Sequence, residues 1–206
     1  GELSVDGAAE PAAELPPVEV GTEAEAVATK TGVPTRPEPE RPRAVVKRTI
    51  DRAVEFRELA RESRYAEALA AAERIGFDGL CETANADDVM LLADVARLAG
   101  DAGRARQAYQ SVRMRFAGRD AGQAAFFLGR LAFDQLADYT EAARYFELSL
   151  AEQPAGPRAR EAAGRLIEAR LLSADTAGAQ AASRQYLERY PDGPHAKTAK
   201  RLLAEP

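Results

Sequence analysis

Residues 128–154 read LGRLAFDQLADYTEAARYFELSLAEQP, and the order of small, aromatic and proline residues in this stretch decides the fold. Two apolar patterns of helical period flank LADY. Gly129 leaves the first helix without a side chain at one point, so a partner can approach closely. Ala142 offers a second close contact in the next helix, and Tyr139 and Phe146 fill volume on either side of it. Pro154 stops that helix, because it has no amide hydrogen and its ring obstructs the preceding turn. The stretch predicts two closely packed helices, and packing alone accounts for it.

The arrangement recurs. Ala68, Ala105, Ala142 and Ala179 stand 37 residues apart, each in the first half of the second helix of a hairpin, and the same step joins Ala117, Pro154 and Pro191. Upstream, Ala53, Phe56, Leu59 and Ala60 share one helical face, and a turn around Ser63 leads into a helix containing Ala68, Leu69 and Ala72. Further helices fit residues 85–99, 102–116, 120–136, 139–153, 157–173, 176–190 and 194–204. The breaks fall at AGDAG, AGRD, LADY, PAGP, SADT and YPDGP, where Gly, Asp and Pro supply turns, caps or a first helical turn. Connections this short place consecutive helices antiparallel. A single hairpin cannot hide its apolar face, so a fixed step predicts stacked hairpins sharing one continuous core.

Residues 1–47 differ in kind. They hold seven of the 12 prolines, with nine acidic and five basic side chains and no sustained periodicity. Such a segment cannot bury enough side chain to offset its ordering cost, and it reads as a linker or tail; the helical repeat domain is expected over 48–206. The whole chain carries a formal charge of -5, without the basic excess that a nucleic-acid partner requires. No run of 18 apolar residues is present, so direct membrane insertion is not expected. With one Cys and one His, Cys81 and His195, neither a metal site nor a Cys–His pair can be assembled. Cys81 reads as a buried apolar residue, and His195 as a surface residue near a helix start. Asp87 and Asp88 read as cap or first-turn residues rather than as an acid pair. No cofactor motif is found, and the expectation is a protein that is not an enzyme.

At these positions the sequence resembles the tetratricopeptide repeat (TPR) family. Leu128, Gly129, Tyr139, Ala142, Phe146 and Pro154 follow the family pattern best. Leu92, Ala93, Gly100, Ala105, Tyr109 and Ala117 follow it a second time, Ala179, Tyr186 and Pro191 supply a third partial match, and Tyr65, Ala68 and Ala72 a fourth. Two departures stand out: the family's helix-A tryptophan is absent and the step is 37 rather than 34, with an extra residue between Gly129 and Tyr139. The resemblance implies an all-α, right-handed superhelical solenoid of about four antiparallel helix hairpins. The last helix would form a polar C-terminal cap, with Lys197, Lys200 and Arg201 wet and Ala199, Leu202 and Leu203 covering the terminal repeat.

The family's inner-face positions, carried over residue by residue, select Asp87, Met90, Asp94 and Arg97 in one hairpin and Gln123, Phe126 and Arg130 in the next. Arg130 would meet a carboxylate or polar backbone of a partner, and Met90 and Phe126 would cover apolar area or fill the core between hairpins. Arg97, Arg104, Arg106, Arg113, Arg115 and Arg119 form a second candidate, a solvated surface or a patch for an acidic protein, since Asp101 is the one acidic residue within 97–119. The resemblance implies a noncatalytic protein-interaction or scaffolding module with a protein or peptide partner. LERYPDGPHA, residues 187–196, and the Ala/Arg-rich helices look similar to repeat modules of bacterial envelope and signalling proteins. That implies the extracytoplasmic, periplasmic part of a membrane-associated regulatory or assembly protein. The alternatives are a cytoplasmic adaptor or co-chaperone-like module, and a spacer that self-associates through its tail or a repeat end.

Overall fold

The computed structural model describes residues 53–204, and every regular element in them is an α-helix. The expected linker, 1–47, lies outside the described residues. Helix α1 covers 53–61 within them, followed by α2 (Tyr65–Ile75), α3 (Phe77–Thr83), α4 (Ala86–Leu98), α5 (Ala102–Arg115), α6 (Arg119–Asp134), α7 (Tyr139–Glu152), α8 (Ala159–Leu172), α9 (Thr176–Arg189) and α10 (Ala196–Ala204). Hairpins α1–α2, α4–α5, α6–α7 and α8–α9 follow one another; α2 packs on α4, and each helix from α4 to α9 packs on the next. This is a helical solenoid. The first helix of each hairpin is called helix A below and the second helix B.

The repeat step is a burial step. Ala68, Ala105, Ala142 and Ala179 are all 0% exposed. The turn before each is copied as well. Ser63, Gly100, Ala137 and Ala174 take positive φ of 60°, 86°, 50° and 61°, the left-handed conformation that ends a helix. The next residue caps helix B: Asp101, Asp138 and Asp175 accept hydrogen bonds from the amides of Arg104, Glu141 and Gly178, satisfying an amide the helix leaves unpaired. In the first hairpin Arg64 stands there and makes no side-chain cap.

The extra residue lies in the α6–α7 turn. The amides of Arg64, Asp101 and Asp175 bond to the carbonyls of Leu59, Ala96 and Arg170, five residues back, whereas Asp138 reaches six back to Ala132. The A helices therefore step by 36 and then 38 while the B helices keep 37, and Ala93, Gly129 and Ile167 become equivalent. Opposite them on the B helices stand Tyr109, Phe146 and Ser183, all 0% exposed. A methyl group added to Gly129 would lie 2.8 Å from the Phe146 ring, so the close approach expected at Gly129 is with that ring. The sizes trade: Ala with Tyr, Gly with Phe, Ile with Ser.

Two expectations need correction. FDGLCET, residues 77–83, folds as α3, an element the periodicity did not predict, because seven residues with a central glycine carry too little pattern. Contacts from α5 hold it. Ser111 and Arg115 both donate to the Cys81 carbonyl, and Arg115 also to that of Ala84 at 2.7 Å. In the cap, Ala199 and Leu202 are buried as expected, but Leu203 is 36% exposed. Ala196 takes its place in the core because it begins the helix on the inward side.

Candidate functional site on the helix-A face

At the helix-A step of 36, Asp87 and Gln123, Met90 and Phe126, and Asp94 and Arg130 occupy equivalent positions on α4 and α6. Met90 and Phe126 are core residues, 8% and 1% exposed, so neither offers area to a ligand and their reading as groove contacts is replaced by their reading as filler. Phe126 packs against Phe127 and Phe146 at ring distances of 5.4 and 6.0 Å. The other five stay at the surface or half-buried. Asp87 lies exposed in the first turn of α4, which Asn85 caps, while Asp88 binds Arg57 in a two-pronged ion pair at 2.8 Å.

Asp94 and Arg97 meet over Tyr109. The tyrosine hydroxyl donates to Asp94 Oδ1 at 2.6 Å, and Arg97 reaches both the hydroxyl and the carboxylate at 3.3 Å. Burial, then the Asp94 charge, pushes the Tyr109 phenol far above its ordinary range, so it stays a donor. Burial alone would lower Arg97, yet its bond to Tyr109 and the Asp94 charge outweigh it and hold the guanidinium protonated. Tyr109 stacks on Phe127 with ring centres 5.5 Å apart. The Arg97 guanidinium lies 5.5 Å from the Phe127 ring centre and that of Arg158 lies 4.7 Å from it.

Arg158, at the start of α8, was not among the sequence candidates. It touches Phe126 and Phe127 through its charge, and among the described residues no carboxylate pairs with it. Together with Arg119 and Gln123 it lines a small cavity of about 70 Å³. Its signal was available, since Arg158 and His195 both follow a Gly-Pro pair 37 residues apart. His195 lies against Gly164, where an added methyl group would overlap its ring, and its Nδ1 is 3.3 Å from Glu168. Gly164 is the register equivalent of Phe126, so the imidazole occupies room that the α6 position fills with its own ring.

Farther along, Arg130 pairs with Asp134 at 3.1 Å, and Asp134 also faces Arg165 across to α8 at 3.5 Å. Asp94, Arg130 and Glu168 thus form a row of alternating sign across three A helices.

The arginine-rich stretch 97–119 is a set of clamps. Arg104 pairs with Glu73 and Asp78, Arg106 with Glu141, and Arg113 with Glu152, while Arg115 holds carbonyls of the α3 end. Their partners lie about one repeat away in sequence, which is why counting acids within 97–119 found only Asp101. Cys81 is buried, and its thiol is pushed up to about 11, by burial first and the Asp78 charge second. Among the described residues no group of His, Cys, Asp and Glu could hold a metal ion, and no helix is long and apolar enough to cross a membrane.

Comparison with solved structures gives a match over most of this architecture. A Podosopora anserina chain described as a kinesin light chain with nearly identical TPR-like repeats superposes with a TM-score of 0.55 at 15% identity. The match covers 76% of this chain and 84% of that one. This chain has the TPR-like repeat fold. No family model and no curated protein matches it in sequence. The TPR-like array keeps the helix order of that fold while spacing its B helices by 37 residues.

Proposed function

We propose that this TPR-like array is a noncatalytic protein-interaction scaffold whose helix-A face takes an extended, acidic segment of a partner protein. The observation that supports it is the Phe127 cluster: two guanidiniums, from Arg97 and Arg158, lie over one aromatic ring, and a single carboxylate, Asp94, balances them. A half-buried, pre-positioned arginine binds a partner carboxylate with little ordering cost. Gln123 supplies an amide beside it, and Arg130 and Asp87 extend the polar surface to either side. Selection from a displayed library of random peptides tests this. Acidic sequences should be enriched on the parent chain and lost on Arg158→Glu, with helicity unchanged. Selection that returns the same sequences from both chains would refute the role of this face.

The proposal includes an extracytoplasmic setting, as part of a bacterial membrane-associated regulator or assembly protein. It is supported by the resemblance in sequence style around LERYPDGPHA and by the Pro-rich segment that would serve as a tether. Protease protection in intact cells, followed with an antibody to residues 53–204, distinguishes this from a cytoplasmic adaptor.

A further inference from the structure

The internal repeat allows one groove to be compared with another. Helix α3 packs against α2 on one side and α5 on the other, filling the groove between two B helices. Phe77 and Cys81 are its buried side chains. The Arg104 guanidinium covers the Phe77 ring at 4.5 Å, and Ser111 and Arg115 hold carbonyls at the end of α3. In the next groove, between α5 and α7, Tyr145 supplies bulk: it is 5% exposed and stands at the register of Ala108 and Ala182.

The last groove has neither filling. Two repeat steps after α2 and α5 come α7 and α9, and between them lies an open groove of about 440 Å³. Its floor is Ala163, Leu166 and Ala182, the equivalents of Val89, Leu92 and Ala108. Among the described residues no helix bridges α7 and α9. Gln185 replaces Ser111 on the wall, and Arg189 occupies the register of Arg115. Arg189 donates to the Pro154 carbonyl at 3.2 Å, at the end from which Arg115 holds α3, and a guanidinium has further donors for a helix C-terminus. The rim differs from the α3 groove in charge. Arg104 there becomes Gly178 here, and Glu188 stands on the rim together with Glu147, which pairs with Arg170.

We propose that the α7–α9 groove is a docking site for a short amphipathic helix of a protein partner. That helix buries an aromatic and a small apolar side chain as α3 buries Phe77 and Cys81, presents its last carbonyls to Arg189, and carries a basic face toward Glu188. Residues 1–29 of this chain, with seven acidic and no basic side chains, have the wrong sign for such a rim, and 30–47, where the five basic residues lie, hold four prolines that oppose a helix. The site is separate from the helix-A face and does not depend on it.

The test uses the full chain and a hydrocarbon-stapled, fluorescein-labelled peptide copying residues 76–85 with Asp78→Lys and Glu82→Lys. Fluorescence anisotropy should show saturable binding. Ala151→Trp, which fills the groove from an exposed position, should weaken it by about tenfold or more, and Arg189→Ala severalfold, while Arg158→Glu leaves it unchanged. Methyl NMR shifts at Ala163 and Ala182 of the parent chain should locate the peptide without relying on any variant. Absence of saturable binding overturns the proposal, as do shifts confined to Ala71 and Ala108, which would mean that the peptide displaces α3. Crosslinks from a photoreactive residue at Gln185 to residues 1–47, or to a second copy of the chain, would give the groove another occupant and overturn it equally.

Discussion

Gly129→Ala isolates the size exchange on which the hairpins are built. A glycine in a helix interior ordinarily gains about 1 kcal/mol on change to alanine, from backbone entropy alone. Here the new methyl would fall 2.8 Å from two atoms of the Phe146 ring and 3.1 Å from a third, and Phe146 is fully buried. Overpacking of this kind costs roughly 1–3 kcal/mol, so the sum is a loss of up to about 2 kcal/mol. That corresponds to a fall in Tm of several degrees, at roughly 2–4 °C per kcal/mol for a chain of this size. Phe146→Leu alone should also destabilise, by leaving a void. Combined, the two changes should recover about 1–2 kcal/mol of coupling, because the smaller side chain makes room for the methyl. Urea unfolding of the four chains, followed by far-UV circular dichroism, measures the cycle. A stabilised Gly129→Ala protein with coupling near zero would refute the exchange, and would mean that the ring moves aside at no cost.

Three further outcomes are expected. Ala137→Gly and Ala174→Gly should each leave stability level or raise it by up to about 1 kcal/mol, since glycine accepts positive φ without the Cβ penalty; thermal melts decide it, and a clear loss at both sites would contradict the left-handed turns. The Asp175 carboxyl is held below its ordinary range by the Gly178 amide and then by Arg170. A lowered folded pKa gives stability that is present above the unfolded value and lost as pH falls through the folded one, so Asp175→Asn, which keeps a cap but not the charge, should lower stability at neutral pH, change it least in acid, and so flatten the acid limb of the curve obtained by urea unfolding across pH. Cys81, buried with its thiol pushed up to about 11, should react with a thiol reagent at neutral pH only as fast as the fold opens, and rapid reaction in the native protein would place it at the surface.

The B helices were legible because a fixed step repeats a residue type: Ala68, Ala105, Ala142 and Ala179 must be small to be buried, and any larger side chain would separate the layers. The A helices were legible in pattern, and Asp94 and Arg130 stand at the same register position on α4 and α6. Burial of the paired apolar residues was not readable, since Met90 and Phe126 occupy the same positions whether they face a partner or the next hairpin. The arginines of α5 were misread for a physical reason. Charge neutrality in this fold is reached between repeats, so a local count of acids misses Glu73, Glu141 and Glu152. Arg158 and α3 were missed because each is held by tertiary contacts, a cation over Phe127 in one case and carbonyls held by Ser111 and Arg115 in the other.

The clamps from α5 have a mechanical consequence. Arg104 fastens α5 to the preceding hairpin through Glu73, while Arg106 and Arg113 fasten it to the following one through Glu141 and Glu152. Tension applied along the array would load these ties in shear together, so α5 acts as a rivet between its two neighbours. Fraying under load would then begin at α10, which buries Ala196, Ala199 and Leu202 and accepts one hydrogen bond from Gln180 at the Leu202 carbonyl, and would stop where the riveted middle begins.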